Sequence, residues 1–188
     1  MSQFPRSPKP SLSNYAFIDA QNLNLGVQRL GWKLDLVKFR RYLSEKYQVG
    51  KAYVFIGYLE ENKELYEFFE TSGYILEFRQ TVLGESGIVK GNVDVDLTVK
   101  SLTQIDEYAG AVIITSDGDF YPLVDHLQKV NKLVAVISPY RKTCSSLLKK
   151  SAKSRISFLD RLQNKLELKR GSKNQSGKGK STKKEGSD

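Results

Sequence analysis

The 188-residue sequence predicts an α/β fold, a three-layer α/β/α sandwich. Its central sheet is expected to be mostly parallel, with about five strands. Three observations carry that expectation. Short apolar runs alternate with segments of helical period. The runs are apolar on both faces, as strands covered on both sides of a sheet must be. Acidic or hydroxyl residues follow several of the runs, and ligands in such sheets bind at that edge.

Residues 1–13 hold three of the five prolines and read as a flexible leader. Residues 14–19, NYAFID, form a first strand ending on Asp19. Residues 21–30 read as a short helix that breaks at Gly31. Asp35 suits an N-cap for a helix to about residue 47, with Leu36, Phe39, Tyr42 and Leu43 on one face. Residues 52–58 are a second buried strand, and 61–72 a helix stopped by Gly73. Tyr66, Phe68 and Phe69 are expected in that helix's core, and 74–78 as a third strand.

A loop with Gly84, Gly87 and Gly91 leads to a helix over 93–105. Residues 111–115 are a fourth strand. A helix follows over 120–130, with Pro122 in its first turn, where a missing N–H costs nothing. Residues 133–137 are a fifth strand, 144–150 a short helix, 156–159 an edge strand and 160–168 a last, basic helix. From residue 171 the chain is rich in Ser, Gly and Lys, a composition of disorder. The expected organisation is a leader (1–13), one domain (14–160) and a basic C-terminal end (161–188).

Net charge is +9 at pH 7, unevenly spread. Residues 141–188 carry 15 Lys and Arg against 4 Asp and Glu, so the first 140 residues are slightly acidic. A basic end on an acidic body suits a polyanion held by the one and presented to the other. No apolar run approaches the ~20 residues of a membrane helix, and residues 1–14 lack the apolar core of a signal peptide. One cysteine, Cys144, excludes an internal disulfide, and one histidine, His126, argues against zinc. The expectation is a cytoplasmic protein with no membrane partner.

Three acidic motifs carry the chemistry: Asp19 in FIDAQN, Asp94 and Asp96 in KGNVDVDL, and Asp117 and Asp119 in TSDGDF. Clustered carboxylates repel one another, so a fold that gathers them usually needs a hard divalent cation, Mg²⁺ or Mn²⁺. Asp19 alone is a common helix cap, and Asn22 would cap equally well. Asp117 and Asp119 flank Gly118, and both can face one ion. A capped turn explains one acid there but not two together with Thr115 and Ser116. Asp94 falls in the first turn of its helix; Asp96, about 200° round, points elsewhere and is expected to pair with Lys100 at i+4. Asn22, Lys90, Thr115, Ser116 and Arg141 are candidate substrate contacts.

Taken in order, FIDAQNL (17–23), KGNVDVDL (90–97) and TSDGDFYPL (115–123) resemble the NYN domain family of the PIN-like nucleases, in its bacterial LabA-like branch. The resemblance spans about residues 14–160. It implies a divalent-metal-dependent ribonuclease with Asp19, Asp94, Asp117 and Asp119 as metal-binding, catalytic acids and single-stranded RNA as partner. It leaves a homodimer open. Ala20 and Ser116 stand where many relatives have glycine. Lys100 and Lys153 stand where many keep an acid. The alternative is a catalytically weak or inactive RNA-binding module of the same fold. A dehalogenase-type phosphatase fits poorly, because no acid stands at Gln21. A receiver domain fits poorly, because no phosphorylatable Asp follows the third strand.

Overall fold

A computed structural model describes residues 12–79 and 93–169. Its strands are β1 (Asn14–Asp19), β2 (Val49–Gly57), β3 (Ile75–Arg79), β4 (Ala111–Ile114), β5 (Leu133–Ser138) and β6 (Ile156–Phe158). They form one sheet in the order β3-β2-β1-β4-β5-β6, with every neighbouring pair parallel. The helices are α1 (Ala20–Gln28), α2 (Leu36–Tyr47), α3 (Lys63–Thr71), α4 (Val93–Thr103), α5 (Tyr121–Lys129), α6 (Ser146–Ala152) and α7 (Gln163–Leu166). The α/β class expected from the sequence is the one observed. The sheet has six strands rather than about five, because the short edge segment pairs with β5.

Side chains alternate across the sheet and build two cores. Ala16, Ile18, Val54, Val112, Ile114 and Ile137 point to the face covered by α1, α2, α3 and α7. Tyr15, Phe17, Tyr53, Phe55, Ile113 and Val136 point to the face covered by α4, α5 and α6. Both faces are apolar because both are buried, which is why the strands read as continuous runs.

Strand order reverses between β1 and β4: the chain builds outward to β3 on one side and to β6 on the other. A sheet with this order opens a crevice at the carboxyl ends of those two central strands. Asp19 ends β1, and Thr115 directly follows β4. The fold therefore brings residues 96 positions apart to one mouth.

Several expectations shift. The segment predicted as a helix over 160–168 is a 3-10 turn (Leu159–Arg161) and a single turn of α7. It then becomes a strap: Leu34 bridges Glu167, the Leu168 N–H donates to the Lys33 carbonyl, and Lys38 Nζ donates to the Glu167 carbonyl at 2.7 Å. These long-range bonds replace the helical ones. The helix after β4 opens with a 3-10 turn, Gly118–Phe120, before α5. Phe68 is exposed, whereas Tyr66 and Phe69 are buried; at 100° per residue one helix face cannot bury all three. Asp35 does cap α2, accepting from the Lys38 N–H, and Gly73 ends α3 with a positive φ of 85°.

Candidate active site

The site grows from the ends of β1 and β4. Asp19 leaves β1 in extended backbone and its carboxylate caps α1, with Oδ1 accepting the Asn22 N–H at 3.0 Å. The other oxygen, Oδ2, accepts from the Thr115 hydroxyl at 3.3 Å. Asn22 then reaches across: its side-chain oxygen accepts the Ser116 N–H at 2.8 Å. Thr115 Oγ1 also accepts the Asp117 N–H at 3.1 Å. Asp19, Asn22, Thr115, Ser116 and Asp117 thus form one interlocked unit across the crevice.

Beyond it the chain turns. Asp117 Oδ1 accepts the Asp119 N–H at 3.0 Å, which starts the 3-10 turn. Gly118 lies against Ser145, and a Cβ there would sit 2.5 Å from Ser145 Oγ, so a side chain fits only if Ser145 moves. Behind the turn the Ser116 and Ser138 hydroxyls bond at 2.9 Å, and the Ser145 N–H donates to the Ser116 carbonyl at 3.0 Å.

The electrostatics identify the acids as neighbours. Burial pushes the Asp19 carboxyl up to about 6, with repulsion from Asp94 and Asp117 adding to it. The Asn22 N–H and Thr115 hydroxyl only partly offset this. Burial also raises the Asp94 carboxyl, with repulsion from Asp117 and Asp119 behind it and Arg79 opposing. Charge is therefore frustrated here. Among the described residues, no three acidic, His or Cys side chains have converged into a ready-made metal ligand set. The four acids interact without having closed on one point.

The remaining predicted residues separate. Asp96 does not pair with Lys100. It faces Arg79 at 3.4 Å, and Lys100 instead reaches Glu77 at 2.8 Å. Both pairs join α4 to β3, because two cation–carboxylate partners across that seam outcompete the i+4 geometry. Arg141 is exposed after β5, with its guanidinium 4.0 Å above the Phe158 ring. Lys90 and the glycine-containing stretch before α4 lie outside the described residues, as do residues 1–11 and 170–188. Lys153 is exposed at the end of α6. His126 is exposed and Cys144 buried.

Sequence reasoning missed three residues. Arg79 ends β3 beside Asp94 and eases its charge. Ser138 ends β5 and braces Ser116. Ser145 fills the space that Gly118 leaves. A polar residue closing an apolar strand was the signal for Ser138; it had already flagged Asp19 and Thr115.

The NYN domain family's sequence pattern matches residues 15–160. The chain belongs to the NYN domain family. Over 132 residues this NYN domain protein is 21% identical to low amplitude and bright protein LabA of Synechococcus elongatus, a match covering 65% of this chain and 71% of LabA. A crystal structure of a protein of unknown function from Vibrio parahaemolyticus superposes with a TM-score of 0.71 at 18% identity, covering 85% of this chain and 99% of that one. At that identity the likeness is one of fold. The domain has the PIN-like nuclease fold that its family implies. Among the described residues, no helix is long and apolar enough to cross a membrane.

Proposed function

We propose that this NYN domain is a divalent-metal-dependent ribonuclease that hydrolyses phosphodiester bonds of single-stranded RNA. The observation that carries this is the gathering of acids about the crevice between β1 and β4: Asp19 ends β1 and shares a hydrogen-bonded unit with Asp117, whose carboxylate holds the Asp119 N–H, and Asp94 is close enough to raise the Asp19 carboxyl. All four offer hard oxygen donors, a set that fits Mg²⁺ or Mn²⁺ and not a soft metal. A bound ion of this kind lowers the pKa of water and neutralises charge on a phosphate oxygen.

The chain's own residues supply the rest. The Asn22 N–H and the Thr115 hydroxyl hold Asp19 at both oxygens, so its direction is set before substrate arrives. Asn22 acts as a clasp between the two strand ends, since its side chain is committed to the Ser116 N–H. Asp119 is exposed and Asp117 partly so, which leaves the mouth open to a polymer. Lys90, Arg141 and the basic C-terminal end grip the RNA backbone. Such phosphate contacts position the chain without reading sequence, and binding weakens steeply with salt. The setting is cytoplasmic.

The second reading, an RNA-binding module without catalysis, draws on the unconverged acids. Lys100 no longer supports it, because its ammonium lies against Glu77 and over the Tyr53 ring.

The deciding experiment incubates the protein with end-labelled single-stranded RNA, single-stranded DNA and duplexes, in Mn²⁺, in Mg²⁺ and in chelator. Cleavage of single-stranded RNA that needs the metal, and that Asp117→Asn abolishes while RNA binding persists, supports the enzyme. Binding without metal-dependent cleavage by the wild type supports the module.

A further inference from the structure

We infer that Arg79 is an RNA contact: its guanidinium grips a phosphate of the single strand next to the scissile one, on the β3 side of the crevice. The inference deepens the ribonuclease reading and rests on it.

Register and contacts place the residue. Asp19 lies level with Phe55 on β2, and Phe55 level with Glu77 on β3. Arg79 is two residues beyond Glu77, so it shares that face and stands nearer the carboxyl edge. The face is the one α4 covers: Lys100 of α4 lies 2.8 Å from Glu77, and Asp96 of α4 lies 3.4 Å from Arg79 Nη1. On its other side α4 touches β1 and the Gly118–Phe120 turn. Its first turn therefore has Arg79 on one flank and the Asp117–Asp119 turn on the other. Asp94 feels both, since Asp117 and Asp119 raise its carboxyl and Arg79 opposes them.

A cation in this position works against metal binding, because it repels the divalent ion that the neighbouring carboxylates would hold. In the free protein it offsets their repulsion. Once an ion does so, the guanidinium is left for an anion that arrives with the substrate. A guanidinium fork matches two oxygens of a phosphate and reads no base.

The way Arg79 is held leaves it able to bind. Arginines that brace this fold are tied to backbone carbonyls. Arg40 donates to Gly73, Val49 and Gly50 at 2.9, 3.1 and 2.6 Å, and Arg155 donates to Leu133 at 2.7 Å. Arg79 has, among the described residues, one long bond of 3.4 Å to Asp96, whose side chain is 49% exposed. Most of its N–H donors are thus uncommitted there. The seam between α4 and β3 does not depend on that bond, since the shorter Lys100–Glu77 bridge joins the same two elements.

The test uses the full chain with Arg79→Met, which keeps the length of the side chain and removes its charge. Asp96→Asn is the companion, removing the bridge and keeping the arginine. In Mn²⁺ with labelled single-stranded RNA, Arg79→Met should raise KM about tenfold and leave kcat within about threefold. Its log–log salt slope for RNA binding should be shallower by about 0.7, the share of one phosphate. Asp96→Asn should show neither change. A single uncharged methylphosphonate linkage, moved along the substrate, should cost the wild type about tenfold at one position beside the cut and cost Arg79→Met nothing there. Equal losses from the two variants overturn the inference and assign Arg79 to the seating of α4. A methylphosphonate profile shared by wild type and Arg79→Met also overturns it, leaving the ribonuclease intact. Should Arg79→Met fail to fold, Arg79→Lys replaces it: the salt slope should hold while KM rises about threefold for the lost fork, and an unchanged KM ends the inference. If the wild type cleaves no RNA, the ribonuclease reading falls. Arg79 is then judged by anisotropy on the same RNA: tenfold weaker binding with the shallower slope sustains the contact, and equal binding ends it.

Discussion

Asp19 is 6% exposed and held at both carboxylate oxygens by neighbours from two strand ends. Asp94 rides the first turn of α4, partly exposed, and approaches the same space from a helix that crosses β1 and β2. One acid is built into the sheet; the other is delivered by a helix packed on it. Burial leads the rise in both carboxyls, but only Asp19 has lost most of its water, and it is lifted to about 6. The sheet-borne half of the site is therefore rigid and costly, and the helix-borne half is cheaper and depends on how α4 seats. Buried Leu97 seats it on β1 and β2, and the salt bridges Arg79–Asp96 and Lys100–Glu77 tie its side to β3.

The comparison breaks most directly in catalysis. Asp19→Asn and Asp117→Asn should each lower kcat on single-stranded RNA by about a hundredfold or more, as expected for lost charge at the reacting phosphate. Asp96→Asn, which loses only an exposed bridge to Arg79, should stay within about threefold. Single-turnover cleavage in Mn²⁺ measures both. Equal losses for Asp96 and Asp117 would mean that α4 seating, not carboxylate chemistry, controls the rate.

Stability sharpens the same contrast. The folded-state pKa of Asp19 lies above its unfolded value, so the folded protein binds the extra proton between about pH 4 and 6. Stability is therefore greatest below pH 4 as far as this group is concerned, and it falls as pH rises through 6. The loss is about 3 kcal/mol. Asp19→Asn should recover it at pH 7, giving an inactive but more stable protein. Urea melts in chelator at pH 5 and pH 7 test this, and a variant no more stable than the wild type at pH 7 would contradict it. Asp94→Asn should move stability in the same direction by less, since that side chain keeps more water. Added Mn²⁺ should reverse the sign for the wild type by binding only the folded state.

The turn after β4 predicts a smaller effect. Gly118→Ala forces Ser145 to move, and Ser145 Oγ caps α6 by accepting the Leu147 N–H at 3.2 Å. Losing that cap costs about 1 kcal/mol. Gly118→Ala with Ser145→Ala should be no worse than Ser145→Ala alone. A double-mutant cycle from thermal melts reads the coupling, and additive costs would show that the two do not touch.

The smallest effect concerns the basic end. Residues 170–188 hold six Lys and Arg against two acids. Removing them should leave kcat unchanged and flatten the salt dependence of RNA binding, by about 0.7 in log–log slope for each phosphate no longer neutralised. Anisotropy titrations at several salt concentrations test it.

The strands were legible because each is an apolar run covered on both faces, and local composition encodes that burial directly. The carboxylates ending β1 and following β4 were legible for the same reason, since a polar residue that closes a buried run has few places to go. Asp35 capping α2 and Gly73 ending α3 were equally local. The Asp96 partner was not. Helical spacing offered Lys100, but α4 crosses β1 and β2, and Arg79 and Glu77 on the next strand, β3, reach it and supply the partners. The strap at residues 166–168 reads as helix in the sequence because its partners, Lys33 to Asp35, lie more than a hundred residues earlier.

By itself, then, the amino-acid order determined the layered class, the family and which acids end which strands, because hydrophobic period and short motifs are properties of neighbouring residues. Tertiary structure alone decided the reversal between β1 and β4, the Asn22 clasp on Ser116, and the burial that lifts Asp19. Each of these depends on what lies across a strand or a crevice, and distance along a chain carries no record of that.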